Sequence, residues 1–215
     1  MRQRRVKNLD EKLQALSSHM IDNPQEYRGR WNEVFGNDNP IFLEIGCGKG
    51  QFISACAENN PGRNYIGIEG QSVVLLRALE KAEASGTDNL VFICDFVQDM
   101  EDYFTPGELS GIYLNFSDPW PKARHNKRRL TYRGRLENYV RVLKNGGCIE
   151  IKTDNDALFD FTLEEIAAAE LLTVEKTYDL HSAESTFSAK EITTEYEDKF
   201  RGMGKNINYV KVRGR

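Results

Sequence analysis

Four places in this 215-residue sequence hold residue types that can do chemistry. The first is Pro40-Ile41-Phe42-Leu43-Glu44-Ile45-Gly46-Cys47-Gly48-Lys49-Gly50. Gly46, Gly48 and Gly50 permit a tight turn and let a ligand approach the backbone closely. A dinucleotide fingerprint needs its third glycine at position 51, where Gln51 stands. Glu44 suits an ammonium group or a hydrogen-bond network and would repel a pyrophosphate. The second place is Gly67-Ile68-Glu69, whose carboxylate can accept from both hydroxyls of a ribose. The third is Asp95, which can accept from an exocyclic amine such as that of adenine. Glu69 and Asp95 equally suit the caps of the helices that follow them. The fourth is Asn115-Phe116-Ser117-Asp118-Pro119-Trp120-Pro121-Lys122, followed at once by Arg124-His125-Asn126-Lys127-Arg128-Arg129. Two prolines stiffen this loop, and Pro119 restricts Asp118 to extended geometry.

These residues need elements to position them. Leu9, Leu13, Leu16 and Met20 recur at helical spacing, and a second helix fits about 26–36 through Trp31, Val34 and Phe35. An alternation follows. Strands are expected at Ile41–Ile45, Tyr65–Ile68, Leu90–Cys94, Ile112–Phe116 and Cys148–Ile151. Helices are expected at 50–59, 71–85, 97–104, 132–144 and 155–171, with Gly146-Gly147 as the stop of the fourth. Thr173–Tyr178 and Ile207–Val212 read as closing strands. The stretch 181–206 between them is polar and has no clear period. Five βα units imply an α/β, doubly wound, Rossmann-like sheet, mostly parallel. The last two strands lack a crossover helix, so at least one pairs antiparallel near the C-terminus. Ligands in such sheets bind at the carboxyl ends of the strands, and all four places lie there.

Composition narrows the class. Hydrophobic residues at 40% and charged residues at 29% describe a core-forming chain and exclude disordered and fibrous classes. No apolar run approaches the roughly 18 residues a membrane helix needs. Length points to a single domain over 1–215, with a basic arm at 1–8 and a helical extension at 9–36. The arm, Arg2-Gln3-Arg4-Arg5-Val6-Lys7, has no apolar region behind it and is not read as a signal peptide. Cys47, Cys56, Cys94 and Cys148 form no CxxC pair, and three of them lie in or beside expected strands, which suits buried thiols in a reducing cytoplasm. With three scattered histidines they make a poor metal set, and no metal is expected. The net charge of −4 is uneven. Pro119 to Lys144 holds nine Lys/Arg and one acid, Glu137, while the rest of the chain holds 20 basic and 32 acidic residues. Such a concentrated patch suits a polyanion.

The glycine spacing resembles the first motif of class I S-adenosylmethionine-dependent methyltransferases. Longer runs narrow the resemblance. EIGCGKG (44–50), GIE (67–69), LNFSDPWPKARHNKRR (114–129), KTDN (152–155) and TEYE (194–197) closely resemble the bacterial tRNA (guanine-N7-)-methyltransferases. The likeness covers nearly the whole chain. It implies methyl transfer from S-adenosyl-L-methionine to N7 of a guanosine in the variable loop of tRNA. It puts Glu44, Gly46, Gly48, Gly50, Glu69, Asp95 and Asp118 on the cofactor side. It puts Lys122, Asp154, Thr194, Tyr196 and Glu197 against the substrate, and Arg124, His125, Asn126, Lys127, Arg128 and Arg129 against RNA. Glu195 is expected to point away. One departure stands out: Asp95 lies one residue closer to Asn89 than the family's third-strand acid does. The partner implied is tRNA, without membrane, and the chain is compatible with a monomer or a homodimer.

Residue types agree with that chemistry. Guanine N7 has a lone pair and no proton, so attack on the methyl needs no general base. Asp118 is therefore read as an electrostatic and orienting residue. Asp118, Asp154 or Glu197 could accept from the guanine Watson–Crick edge, which offers two donors. Asp154 also suits the cap of the helix starting near 155, and Trp120 suits either the core or a flipped base. An N6-adenine methyltransferase would carry Asn/Asp-Pro-Pro-aromatic where Ser117-Asp118-Pro119-Trp120 stands. A non-catalytic RNA-binding subunit would not need both motifs intact. A nicotinamide dehydrogenase is opposed by the glycine spacing.

Overall fold

Short apolar runs alternating with amphipathic stretches become strands and helices in turn. The computed structural model describes residues 6–215. Residues 1–5, and with them most of the basic arm, lie outside the described residues. Helix α1 (Leu9–Ala15) leads into a 3₁₀ turn at Ser17–His19. Leu13, Leu16 and Met20 pack on a buried cluster that includes Phe52, Leu75 and Phe92. The single helix expected over 26–36 is divided. A 3₁₀ turn (Pro24–Tyr27) and the five-residue α2 (Trp31–Phe35) flank Gly29, whose φ of 78° breaks the helix. Trp31 is fully buried, and its indole N–H donates to the Tyr103 carbonyl at 2.9 Å.

The alternation then runs β1 (Ile41–Ile45), α3 (Gln51–Asn59), β2 (Asn64–Ile68), α4 (Ser72–Ser85), β3 (Leu90–Ile93) and β4 (Leu109–Asn115). It continues with α5 (Arg133–Val142), β5 (Leu143–Thr153), α6 (Asp156–Ala168), β6 (Leu172–Thr177), α7 (Glu195–Gly202) and β7 (Asn208–Arg213). The helix expected over 97–104 is only a 3₁₀ turn, Met100–Asp102, capped by the Asp99 side chain. Gly146-Gly147 does not stop α5, which ends at Val142. The pair sits inside β5, where Leu109 faces Leu143 but Gly111 faces Cys148. Two positions on β4 thus span five on β5, a bulge that Gly146 accommodates at φ 80°. Helix α7 lies in the stretch that shows no periodicity.

The seven strands form one sheet in the order β3-β2-β1-β4-β5-β7-β6. All pairings are parallel except those of β7, which runs antiparallel to both β5 and β6. The antiparallel end appears as expected. Strand order reverses between β1 and β4, so their carboxyl ends splay apart there and leave a crevice. Leu43, Ile66, Ile112, Leu114 and Ile149 are fully buried in the sheet, and Leu136, Phe159 and Val210 pack in the same core. All four cysteines are free. Cys47 and Cys56 are buried, Cys148 is half-buried, and Cys94 is exposed, against the expectation of buried thiols.

Candidate active site

The crevice begins with the turn after β1. The Gly46 and Cys47 amides both donate to the Ile68 carbonyl, at 2.8 and 3.0 Å, tying the turn to the end of β2. Gly50 has φ 73°, and a Cβ there would meet that of Ala78 at 2.7 Å, so only glycine lets α3 pack on α4. Gly46 and Gly48 differ, since a Cβ on either would meet nothing within 4 Å. Their open faces leave room for a ligand against the backbone.

Glu44 is 2% exposed. One carboxylate oxygen accepts from the Asn115 side-chain amide at 2.8 Å, and the other is buried and makes no full hydrogen bond among the described residues, although the Ile53 amide is near enough to draw the carboxyl's pKa down. Burial pushes its pKa up to about 7, against the opposing pull of the Asn115 bond and the Lys152 charge. A buried oxygen without a full hydrogen bond is an acceptor held in reserve. Glu69 accepts from the Gly48 amide at 3.2 Å and the Gln71 amide at 2.9 Å, which shapes the turn. Asp95 is exposed two residues beyond β3. It accepts from the Phe96 amide at 2.6 Å and from the Tyr103 hydroxyl. A cavity of about 170 Å³ is lined by Glu44, Gly46, Gly48 and Asn115 on one side and by Thr194, Glu195 and Tyr196 on the other.

Asp118 is exposed on the loop after β4. Two bulky residues near it have positive φ, Phe116 at 50° and Trp120 at 40°. Such angles cost of order 1–3 kcal/mol each and persist only where surroundings enforce them. Arg129 enforces the second, and the Phe116 amide donates to the Lys152 carbonyl at 2.8 Å. The Arg129 guanidinium donates to the Pro119 carbonyl at 2.9 Å and the Trp120 carbonyl at 3.1 Å, and lies 4.1 Å over the Phe161 ring. Residues 123–128 form a 3₁₀ turn. Lys122, Arg124, Lys127 and Arg128 are exposed, and His125 and Asn126 are half-buried. Arg128 lies 5.0 Å over Trp120, and His125 meets the same ring edge-on at 5.7 Å.

A family model described as "Putative methyltransferase" matches residues 38–210. A tRNA (guanine-N(7)-)-methyltransferase of Clostridioides difficile (strain 630) is 49% identical over 208 residues, 96% of each chain. One from Bacillus subtilis (strain 168) is 44% identical over 215 residues, the whole of both chains. This chain belongs to the tRNA (guanine-N(7)-)-methyltransferase family. A solved structure titled "Structure of an antibiotic related Methyltransferase" aligns with TM-score 0.63 over 91% of this chain and 96% of its own, at 17% identity. That likeness supports the fold alone.

Not every residue that the family motifs select is free in this structure. Glu197 is fully buried. Its oxygens accept from Lys152 Nζ at 3.1 and 3.3 Å, from the Thr194 amide at 3.3 Å, and meet the His181 ring nitrogen at 2.6 Å. It holds the start of α7 and, as placed, offers no oxygen to a substrate. Thr194 caps the same helix, its hydroxyl accepting from the Glu197 amide at 2.9 Å. Asp154 does not cap α6, since Asn155 does so by accepting from the Leu158 amide. Asp154 instead pairs with Lys205 at 2.7 Å. Glu195, expected to point away, bridges Lys49 at 2.6 Å and Lys81 at 3.1 Å and lines the cavity. Sequence reasoning missed the parts of Lys81, His181 and Asn115. Asn115 had a signal, as the last residue of β4 inside the longest family motif. Lys81 and His181 had none, because their partners lie 114 and 16 residues away.

Proposed function

We propose that this protein transfers a methyl group from S-adenosyl-L-methionine to N7 of a guanosine in the variable loop of tRNA. Family membership supplies the substrate class. Glu44 lines one cavity with the open glycine turn at the sheet's switch point, and its second buried oxygen makes no full hydrogen bond among the described residues; this pairing carries the cofactor assignment. When bound, S-adenosyl-L-methionine supplies a methyl group activated by sulfonium charge. Glu44 would accept from its ammonium group, the bare backbone at Gly46 and Gly48 would lie against it, and Glu69 would accept from the ribose. Asp95 stands further along the same row of strand ends, where the adenine amine is the matching donor.

Guanine N7 has no proton to lose, so no side chain must act as a base. What the site must do is orient the base and stabilise the positive charge that appears on it. Asp118 is an exposed acceptor on a loop whose backbone Arg129 clamps at Pro119 and Trp120, and its carboxylate supplies that field. Lys122 and the exposed cations of the 123–128 turn would engage the RNA backbone.

The test is transfer of labelled methyl from S-adenosyl-L-methionine to unmodified total tRNA, followed by nucleoside digestion. Label in 7-methylguanosine is expected. Label in N6-methyladenosine would keep the fold and cofactor and refute the substrate. No label would refute the activity.

A further inference from the structure

Two residues before Asp118 in the chain, Phe116 joins a group of rings that the mechanism above does not use. Phe116, Tyr196 and Phe200 have centroids 6.4, 6.1 and 6.2 Å apart pairwise, and their planes lie within 24–28° of one another. A pile of three rings would put its outer pair about twice as far apart as its inner pairs. Near-equal spacings with near-parallel planes mean that the rings sit side by side as offset plates.

The plates are placed for a ligand rather than for the core. Phe116 and Phe200 rest on a small buried cluster of Leu180, Ile207 and Tyr209, whereas Tyr196 is 58% exposed. An exposed tyrosine ring that lines a cavity gains little from packing. The cavity it lines, together with Phe116, is the one that holds Glu44 and the glycine turn. The positive φ of Phe116, whose amide donates to the Lys152 carbonyl at 2.8 Å, ends the alternation of β4 and re-aims its ring. Lys205 Nζ lies 4.7 Å over the Phe200 ring and pairs with Asp154, so a cation already occupies part of that ring. Among the described residues, no cation lies over Phe116 or Tyr196 in this way.

We propose that Phe116 and Tyr196, backed by Phe200, form the stacking platform for the target guanine, and that the platform holds the methylated base more tightly than the unmethylated one. The proposal rests on the reading of the protein as a guanine-N7 methyltransferase. Every base offers a π-face to an aromatic side chain. N7 spends its lone pair on the new bond to the methyl carbon as the methyl–sulfur bond breaks and its electron pair returns to sulfur, so the positive charge leaves the sulfonium and appears on the guanine ring. The base that leaves is thus a cation, and the base that enters is neutral. Aromatic faces attract cations through their quadrupole. The platform therefore strengthens as the charge develops, from the face of the ring, while Asp118 acts from beside it. Both side chains touch the reacting base and are catalytic residues in that sense.

Dissociation constants of guanosine 5′-monophosphate and 7-methylguanosine 5′-monophosphate, measured by ligand-observed NMR on the full chain, test this. The wild type should prefer the methylated nucleotide by about tenfold. Tyr196→Leu and, separately, Phe116→Leu should bring that ratio towards one, and Tyr196→Phe should restore it. A purely structural ring would change both affinities alike and leave the ratio alone. Tyr196 is exposed, so Tyr196→Leu should melt close to the wild type and keep the test readable. A wild-type ratio near one overturns the proposal, as does a preference that survives both leucine variants. Failure of the wild type to label 7-methylguanosine in tRNA would instead remove the functional reading beneath it, and that assay is independent of these ratios.

Discussion

Glu44 places a carboxylate where water cannot hydrate it, and its raised pKa of about 7 records the cost. An unfolded glutamate titrates near 4.3. The folded ligand-free protein therefore binds a proton at Glu44 that the unfolded chain has already lost between these values. Stability from this residue is fully present below about pH 4, falls as pH rises, and levels off above about 7. The total loss is on the order of 3 kcal/mol. Glu44→Gln removes the ionisation and keeps an acceptor for Asn115. Its thermal midpoint should exceed that of the wild type at pH 8 and match it near pH 4. Cofactor affinity should show the reverse pattern. The wild type should bind S-adenosyl-L-methionine more tightly as pH rises from 6 to 8 and the carboxylate forms, and Glu44→Gln should bind weakly with a flat profile. Calorimetric titration across that range decides the matter, and a flat wild-type profile would remove Glu44 from the ammonium contact. A residue kept at a cost to the free fold is a mark of function.

At the scale of elements, α7 is the piece that joins the turn after β1 to the C-terminal strands. Glu195 ties its start to Lys49 and Lys81, and Glu197 ties it to Lys152 and His181. The Lys49 and Lys81 pairs are partly exposed and worth roughly 0.2–1 kcal/mol each. The capping box of Thr194 and Glu197 adds about 1 kcal/mol. Thr194→Ala should therefore raise amide exchange in α7 about fivefold, with exchange in β1 and β4 unchanged. Exchange that rises equally in the sheet would mean that α7 and the sheet open together. This helix also shows where sequence reading stops. Strands β1 and β2 are legible because Ile41–Ile45 and Tyr65–Ile68 are nearly continuous apolar runs, as buried parallel strands require. In α7 only Tyr196 and Phe200, one turn apart, interrupt the charged residues Glu195, Glu197, Asp198, Lys199 and Arg201, a stripe too short to register as a period. Its signal was the Thr-x-x-Glu start at 194–197, a capping box without the hydrophobic run that normally follows. The acids of the site were legible by position, at the ends of strands. Which oxygens remain free was not, because Glu44 and Glu197 differ only in the partners that the fold brings to them.

At the scale of the whole molecule, an acidic protein must present one face to a polyanion. The net charge is −4, and the basic segment from Pro119 to Lys144 lies on one stretch that begins at the reacting loop. The long-range field repels RNA from most of the surface and attracts it to this stretch, so encounter is oriented before contact. Within the stretch, charge and role separate. Lys122, Arg124, Lys127 and Arg128 are exposed, whereas Arg129 spends its donors on the Pro119 and Trp120 carbonyls. Each phosphate contact contributes about −0.7 to −0.9 to the slope of log affinity against log salt. Arg133 and Arg141, also exposed, are already paired with Glu165 and Glu101. The four exposed cations of residues 122–128, next to the reacting loop, therefore contribute about −3 to the slope for tRNA binding. Removing two of them, in the double variant Arg124→Ala with Lys127→Ala, should reduce the slope by about 1.5 and weaken binding at low salt. Arg129→Ala should leave the slope nearly unchanged and lower the single-turnover methylation rate, because it releases the loop that carries Asp118. Fluorescence anisotropy over a salt series, with single-turnover rates on the same variants, separates the two roles. A slope that drops for Arg129→Ala as far as for the double variant would show that its guanidinium leaves the loop to meet RNA.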